Sequence, residues 1–484
     1  MSDTTTPQLA RVLGRPQLLA IGLGAIIGSG IFVIPGPAAA QFAGPSLVFS
    51  FLLAALGCAL AGLCYSELAA MYPVAGSAYA YSSRAFGRLI GWIVGWLLIL
   101  EYMLATAMLG VGWSGYFTSL LTSVGVELPQ ELIRSPISTD ARGVVQIGAG
   151  LADLPAITIL AVAAAVAVRN VQVSATVNAV ITCMKVAVIL LVIAFGFRYV
   201  DPENWTPFIP PNTGQWGEFG WSGIVRGAAV TFFVYLGFDT VSVAAQEARN
   251  PQRDVPFGII GSLLVCTALF IPVSLVLTGL TSYRNLNVPH PVAVAVAAAG
   301  DCLAWLEPLV EIGAMIGMFS VLLVVLMAQS RILYSMALDG LVPPIFGRIH
   351  PRFRTPVVGT ILVAIIAALM AAFLPITLLG QLVSIGALLA FIAVAAGVLV
   401  LRRTQPDAPR PFRTPFVPWV PIGAIIVCGC MMIGLPLATW FRFAVWLALG
   451  LFVYALYGRR TAHRNPCGTR DPSRHEPHGS LPLK

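Results

Sequence analysis

The stretch that most constrains this chain is Ile21-Gly-Leu-Gly-Ala-Ile-Ile-Gly-Ser-Gly-Ile-Phe-Val-Ile-Pro35. It lies in a run without a charged residue from Arg15 to Glu67, hydrophobic enough to cross a bilayer. Gly28-Ser29-Gly30 falls in its middle, where a spanning helix should be best formed. Glycine costs about 1 kcal/mol against alanine inside a helix, and two around a serine invite unwinding. Lipid tolerates unwound backbone only where protein or a water-filled cavity covers it. Free amides near Gly30 and Ile31 would then face a carboxylate from the positive end of a half-helix. The plainer alternative is that Gly24-x-x-x-Gly28 is a close-packing face for a neighbouring helix.

Composition excludes a soluble globular fold: 58% of the residues are hydrophobic, only 10% are charged, and mean hydropathy is +0.87. The net charge of +8 would suit nucleic acid, but basic inner loops give a polytopic membrane protein the same excess. No nucleic-acid partner is therefore expected. Six cysteines lie in apolar runs, and Cys302 and Cys467 fall in loops on opposite sides of the expected membrane. The five histidines all avoid the apolar runs. Neither a disulfide framework nor a metal or cofactor site follows. Met1 to Pro16 is polar, and the apolar run after it far exceeds the core of a secretory signal.

Stretches of roughly 20 apolar residues predict twelve spans. These are Gln17–Gln41, Pro45–Tyr72, Gly87–Leu121, Ala152–Val168, Val171–Phe197, Trp221–Glu247, Pro256–Leu280, Pro308–Ala337, Pro356–Leu374, Ile376–Leu401, Phe416–Pro436 and Ala438–Tyr457. The fourth is the shortest in apolar length. Basic residues then collect on one side, among them Arg11, Arg15, Arg84, Arg88, Arg249, Arg253, Arg402 and Arg403. The other side gathers Glu127, Glu131, Asp140, Asp201, Glu203 and Glu218. This asymmetry predicts cytoplasmic termini and a multi-pass protein of the plasma membrane, the inner membrane of a bacterium.

The sixth span carries a second interruption, Gly227-Ala-Ala-Val-Thr-Phe-Phe-Val-Tyr-Leu-Gly-Phe-Asp239. Breaks in spans one and six, five helices apart, are what two inverted five-helix repeats would give. The expected division is a tail over 1–16, a first repeat over 17–200, a second over 201–402, helices eleven and twelve over 403–458, and a tail over 459–484. This pattern moves the glycine break from a packing face toward a binding site.

Glu101, Lys185 and Asp239 are ionisable residues deep in apolar runs. Glu101 and Lys185 lie roughly 20 Å along their helices from the inner end, near the depth of Gly28. Isolated charges there cost about 3 kcal/mol or more, so each needs a partner or a purpose. Glu101 is either a site carboxylate or a neutral carboxyl bonded between helices. Glu67 and Arg226 sit near span ends, where they would be able to snorkel. Lys185 is distinctive because the only other lysine is Lys484, while arginine serves the basic loops. Arginine does not lose its proton in a protein; a lysine is able to. That suits a proton carrier, and the alternative is a fixed positive clamp on carbonyls of the broken first helix.

Gly28-Ser-Gly-Ile-Phe32, Leu98-Ile-Leu-Glu-Tyr102, Val111-Gly-Trp-Ser-Gly-Tyr-Phe117, Phe238-Asp-Thr-Val-Ser242, Asn250-Pro-Gln-Arg-Asp254, Arg331-Ile-Leu-Tyr-Ser-Met336 and Arg410-Pro-Phe-Arg413 together resemble the amino acid–polyamine–organocation permeases. Their nearest likeness is to the cationic amino acid transporters and their bacterial relatives. The resemblance implies an all-α fold of twelve transmembrane helices, built as two inverted five-helix repeats plus two C-terminal helices, with alternating access. It places the substrate carboxylate at Gly28, Ser29 and Gly30 with Ile26 beside it, and the amino group at carbonyls of Phe233, Val234 and Leu236. It matches Lys185 to a helix-five lysine that replaces a sodium site and bonds helix one. Three positions depart from the family pattern: Leu97 stands for an acid, Gln246 for a glutamate and Leu338 for an arginine. Losing the helix-three acid weakens the case for a cationic cargo.

The function expected is a proton-coupled amino acid permease with Glu101 in the substrate pocket and Lys185 and Asp239 in coupling. Amino acid, protons and the bilayer are its partners. An exchanger or a polyamine permease without net proton coupling is the alternative. A channel or a transporter-like sensor would need a continuous polar stripe or a long regulatory domain. Enzymatic function is not expected, since no catalytic set or P-loop is present.

Overall fold

The computed structural model describes residues 13–72, 76–139, 145–148, 150–169, 175–243, 248–353 and 355–458. The chain is mostly helical. In order the helices are α1 (Arg15–Ile26), α2 (Ser29–Phe32), α3 (Pro35–Ala38), α4 (Leu47–Met71), α5 (Ser77–Phe86), α6 (Arg88–Ser123), α7 (Leu154–Val168), α8 (Ala175–Gly196), α9 (Gly220–Thr231), α10 (Phe238–Val243), α11 (Pro251–Leu280), α12 (Pro291–Ala298), α13 (Leu306–Leu338), α14 (Val357–Phe373), α15 (Ile376–Thr404), α16 (Trp419–Ile433) and α17 (Leu437–Val453). Among the described residues eight helical segments are long and apolar enough to cross a membrane, and α7, α14 and α16 are shorter apolar helices. The protein is a multi-pass membrane protein.

Several boundaries depart from the sequence expectation for identifiable reasons. The first span does not run unbroken: α1 stops at Ile26, and short turns of helix resume at Ser29 and Pro35. The seventh span begins at Pro251, a proline in the first helical turn, and runs on through Pro256 inside the helix. α5 and α12 are short helices that length-based reading passes over. A two-stranded antiparallel hairpin pairs Ile137–Thr139 with Val145–Ile147 in the loop after α6. Gln246, Cys467 and the tails up to 12 and from 459 lie outside the described residues.

Long-range polar bonds tie the ends of the helices together. Leu13 accepts from the Arg249 amide at 2.8 Å, and Arg15 donates to Asp254 at 3.0 Å, so the start of α1 is pinned to the start of α11. Glu67 does not snorkel. It is 1% exposed and receives two bonds from Arg402, at 3.0 and 2.8 Å, and one from the Thr414 amide at 2.7 Å. Arg410 of the Arg410-Pro-Phe-Arg413 motif caps the end of α15 through the carbonyls of Leu401 and Gln405. At the far end of the chain, Trp446 stacks on Trp96 with ring centroids 4.6 Å apart, which docks α17 on α6.

Candidate functional site

The helix break forms where the sequence places it. Ile27 leaves helical geometry with ψ of 89°, and the amides of Gly28, Gly30 and Ile31 make no backbone hydrogen bond among the described residues. In a continuous helix the Gly28 N–H would donate to the Gly24 carbonyl. Here Lys185 takes that place. Its Nζ reaches across from α8 and donates to Gly24 O at 2.9 Å, and the side chain is fully buried. A cation at the carboxyl end of a helix also complements its dipole. Glycine makes room on both sides: a Cβ at Gly317 would lie 3.2 Å from Lys185 Cε, and one at Gly24 would lie 2.7 Å from Thr182 Oγ1.

The second break is in register with the first. After α9, a tight turn over Phe232–Tyr235 leads to Leu236 with ψ of 139°, then Gly237 with φ of +123°. Only glycine adopts that backbone without strain. A Cβ at Gly237 would also lie 2.8 Å from the Ala25 backbone. Opposite it, a Cβ at Gly30 would lie 2.9 Å from the Val234 carbonyl. The two interrupted segments thus touch backbone to backbone, and side chains are excluded from the contact.

Between them lies a small cavity. Ile26, Gly30, Phe233, Val234, Leu236, Glu101 and Asp239 line it, joined by Tyr102, Thr240 and an apolar wall of Ala105, Leu109, Val321 and Val325. Gly28 is buried against Val321, whose Cγ2 would be 2.9 Å from an added Cβ. Ser29 opens α2; its side chain is outside what is described. Lys185 does not line the cavity; its bond to Gly24 ties it to α1, which does.

The two acids differ. Asp239 is engaged, since the Tyr102 hydroxyl donates to its Oδ2. Glu101 is buried, and its Oε2 has no hydrogen-bond partner among the described residues. Leu97 is fully buried but does not line the cavity, so the missing acid of the family pattern is not a missing pocket wall. Leu338 is exposed, while its neighbour Asp339 takes a bond from the Tyr79 hydroxyl and its carbonyl takes one from Arg88 at 3.0 Å.

Tyr102 adjoins Glu101 in Leu98-Ile-Leu-Glu-Tyr102, and the sequence does not mark it as a site residue. Its place one residue from a buried acid is the only available signal. Tyr116, whose hydroxyl donates to the Phe32 carbonyl at 2.5 Å, is likewise unmarked within the Val111–Phe117 motif. Val321 and Val325 carry no signal beyond helical spacing.

Comparison with known proteins follows the same lines. The chain is 43% identical to the methylthioribose transporter of Bacillus subtilis (strain 168), over 95% of this chain and 96% of that one. It is 42% identical to the branched-chain amino acid permease BcaP of the same organism, over 94% and 95%. It is 37% identical to the vacuolar cationic amino acid transporter 4 of Arabidopsis thaliana, over 83% of this chain and 64% of that one. These relatives are transporters, not enzymes. Residues 13–455 match the family described as amino acid permease, and with nearly the whole chain covered, the protein belongs to the amino acid permease family.

Proposed function

We propose that the protein is a secondary active amino acid permease of a bacterial inner membrane, working by alternating access and driven by protons. Its twelve spans would form two inverted repeats over 17–200 and 201–402, followed by helices over 403–458, with tails at 1–16 and 459–484 and both termini cytoplasmic. The observation that carries this reading is the backbone contact of the two breaks around one buried cavity, Gly30 on Val234 and Gly237 on Ala25.

On this reading the substrate carboxylate takes the unpaired amides around Gly28–Gly30, beside Ile26. The amino group takes carbonyls of the other break. Leu236 N–H already donates to the Phe233 carbonyl at 2.9 Å, so Val234 and Leu236 are the freer acceptors. The side chain of the substrate meets Ala105, Leu109, Val321 and Val325, which favours a neutral apolar cargo of the kind named for BcaP. Lys185 couples the proton: a charged amine holds Gly24 O and the geometry of the break, and loss of its proton releases that hold. Asp239, held by Tyr102, joins the two helices in the same step.

A second reading has a specific support. The methylthioribose transporter shares 43% of its sequence over nearly its full length, and its named cargo is not an amino acid. A thermal-shift screen of the detergent-solubilised protein separates the two, because a ligand that binds the native state raises its apparent stability. Leucine, isoleucine or valine should raise the melting temperature, and putrescine should not. Stabilisation by methylthioribose or putrescine alone, with none by any amino acid, overturns the assignment.

A further inference from the structure

A second, open cavity lies where the loop before α9 meets the turn between α16 and α17. Trp216, Arg226, Ile433, Leu435, Leu437 and Trp440 are among its lining residues. Arg226 does not snorkel into solvent as its position near a span end would allow. Only 6% of it is exposed, and its Nε donates to the Gly434 carbonyl at 3.1 Å. The Phe42 ring lies 5.9 Å from the guanidinium carbon. The loop closes over the group at Gly217, where φ is +84° and a Cβ would lie 2.2 Å from Arg226 Nε. The guanidinium is therefore held in place by backbone that accepts only glycine.

Its two terminal nitrogens have no protein acceptor among the described residues, and none of the ion pairs there involves it. Glu218 is close enough to act on its charge, but Glu218 accepts the Thr213 hydroxyl at 2.7 Å and does not line the cavity. Arg226 lines the cavity, so an anion placed there gains charge-assisted hydrogen bonds from it. The two free nitrogens of a guanidinium present the fork that two phosphate oxygens fit.

The surroundings narrow the kind of molecule that would bring a phosphate there. Trp216, Ile433 and Leu437 are 61%, 70% and 87% exposed at the mouth, an apolar rim of the kind a bilayer covers, with tryptophan at the headgroup level. Arg226 stands six residues into α9, about 9 Å below its first residue. We propose that this cavity binds the phosphodiester headgroup of an anionic phospholipid, with an acyl chain lying along Ile433 and Leu437. On the orientation proposed above the lipid comes from the outer leaflet. A single phosphodiester charge matches the single guanidinium, whereas a zwitterionic lipid brings an ammonium for which the lining offers no carboxylate.

The test is the melting temperature of the full chain in neutral detergent with phosphatidylglycerol, phosphatidylcholine or inorganic phosphate added. Phosphatidylglycerol should raise it by several degrees more than phosphatidylcholine, and millimolar phosphate should leave it unchanged. Arg226→Gln should lose the difference between the lipids. Because Arg226 also holds Gly434, Leu437→Glu is the second variant: it places a carboxylate at an exposed rim position and should lose the difference with its baseline intact. Equal shifts from both lipids overturn the proposal. So does a difference that survives both substitutions, or a full shift from inorganic phosphate alone, which would make it a free-anion site. None of these outcomes depends on transport, so the permease reading stands or falls separately.

Discussion

Lys185 Nζ donates to the Gly24 carbonyl at 2.9 Å, the acceptor that the Gly28 amide would have used had the first helix continued. The lysine thus completes the end of α1 from another helix. A change in its charge acts directly on the geometry of the backbone that faces the cavity.

The contact between the breaks leaves no space for a side chain. Gly30→Leu should abolish uptake while the protein still reaches the membrane, since the added atoms collide with Val234 at 2.8–3.0 Å. Gly237→Ala should do the same, with the added strain of a positive φ at an L-residue. Overpacking of this kind costs about 1–3 kcal/mol, which a domain survives but a binding geometry does not. Gly429→Ala, where no atom lies within 4 Å of the new methyl, should transport normally. Normal uptake by Gly30→Leu would remove the carboxylate site from this break.

Selectivity is expected to be neutral or mixed rather than strictly cationic. Glu101 is the only cavity-lining acid without a hydroxyl already bonded to it, and most of the wall is apolar. Alanine and leucine should compete for uptake at least as well as arginine. Competition by arginine and lysine alone, with no effect of small neutral amino acids, would contradict this.

The Glu67–Arg402 pair belongs to the frame and not to the transport path. Glu67→Gln leaves Arg402 and the Thr414 amide short of their shared carboxylate. Removing one partner of a buried pair costs about 3–5 kcal/mol, less here because Arg402 is 27% exposed. The melting temperature should drop by several degrees with the substrate preference of the surviving protein unchanged. An altered preference would place this cluster in the mechanism.

His290 gives a pH signature of stability that is separate from coupling. It lies in the loop before α12, where burial lowers its pKa to about 4, and its Nδ1 has no partner among the described residues. The unfolded chain takes up this proton near pH ~6.5, the folded one only near 4. The unfolded state therefore binds more protons between those values, and stability falls as pH drops through that window. His290→Gln should flatten the fall in melting temperature between pH 7 and 5 and leave the pH profile of uptake as it was. Loss of acid-stimulated uptake in this variant would make His290 a coupling residue.

Much of this arrangement is legible in the sequence because glycine, lysine and glutamate are conspicuous where they are costly. Gly28-Ser29-Gly30 and Gly237 mark the two breaks, and the isolated Lys185 marks the amine that repairs one of them. What escapes is whatever depends on which faces meet. Glu67 and Arg226 read as snorkelling residues because their helices' ends are close, but the 410–414 segment folds back over one and the 213–219 loop over the other. Leu97 reads as a lost pocket acid, and it points elsewhere. The bond from Tyr102 to Asp239 joins α6 to α10, and a partnership between separate helices has no spacing to betray it.

The most direct test of the account is substrate accumulation by Lys185→Arg in liposomes, set beside the native protein under an inward proton gradient without sodium. Arginine keeps the positive charge but does not give up its proton. The native protein should accumulate substrate with the gradient, and Lys185→Arg should bind substrate yet fail to accumulate it. Accumulation by Lys185→Arg with the same dependence on the gradient would show that Lys185 is a fixed clamp on Gly24 and that the proton travels by another residue.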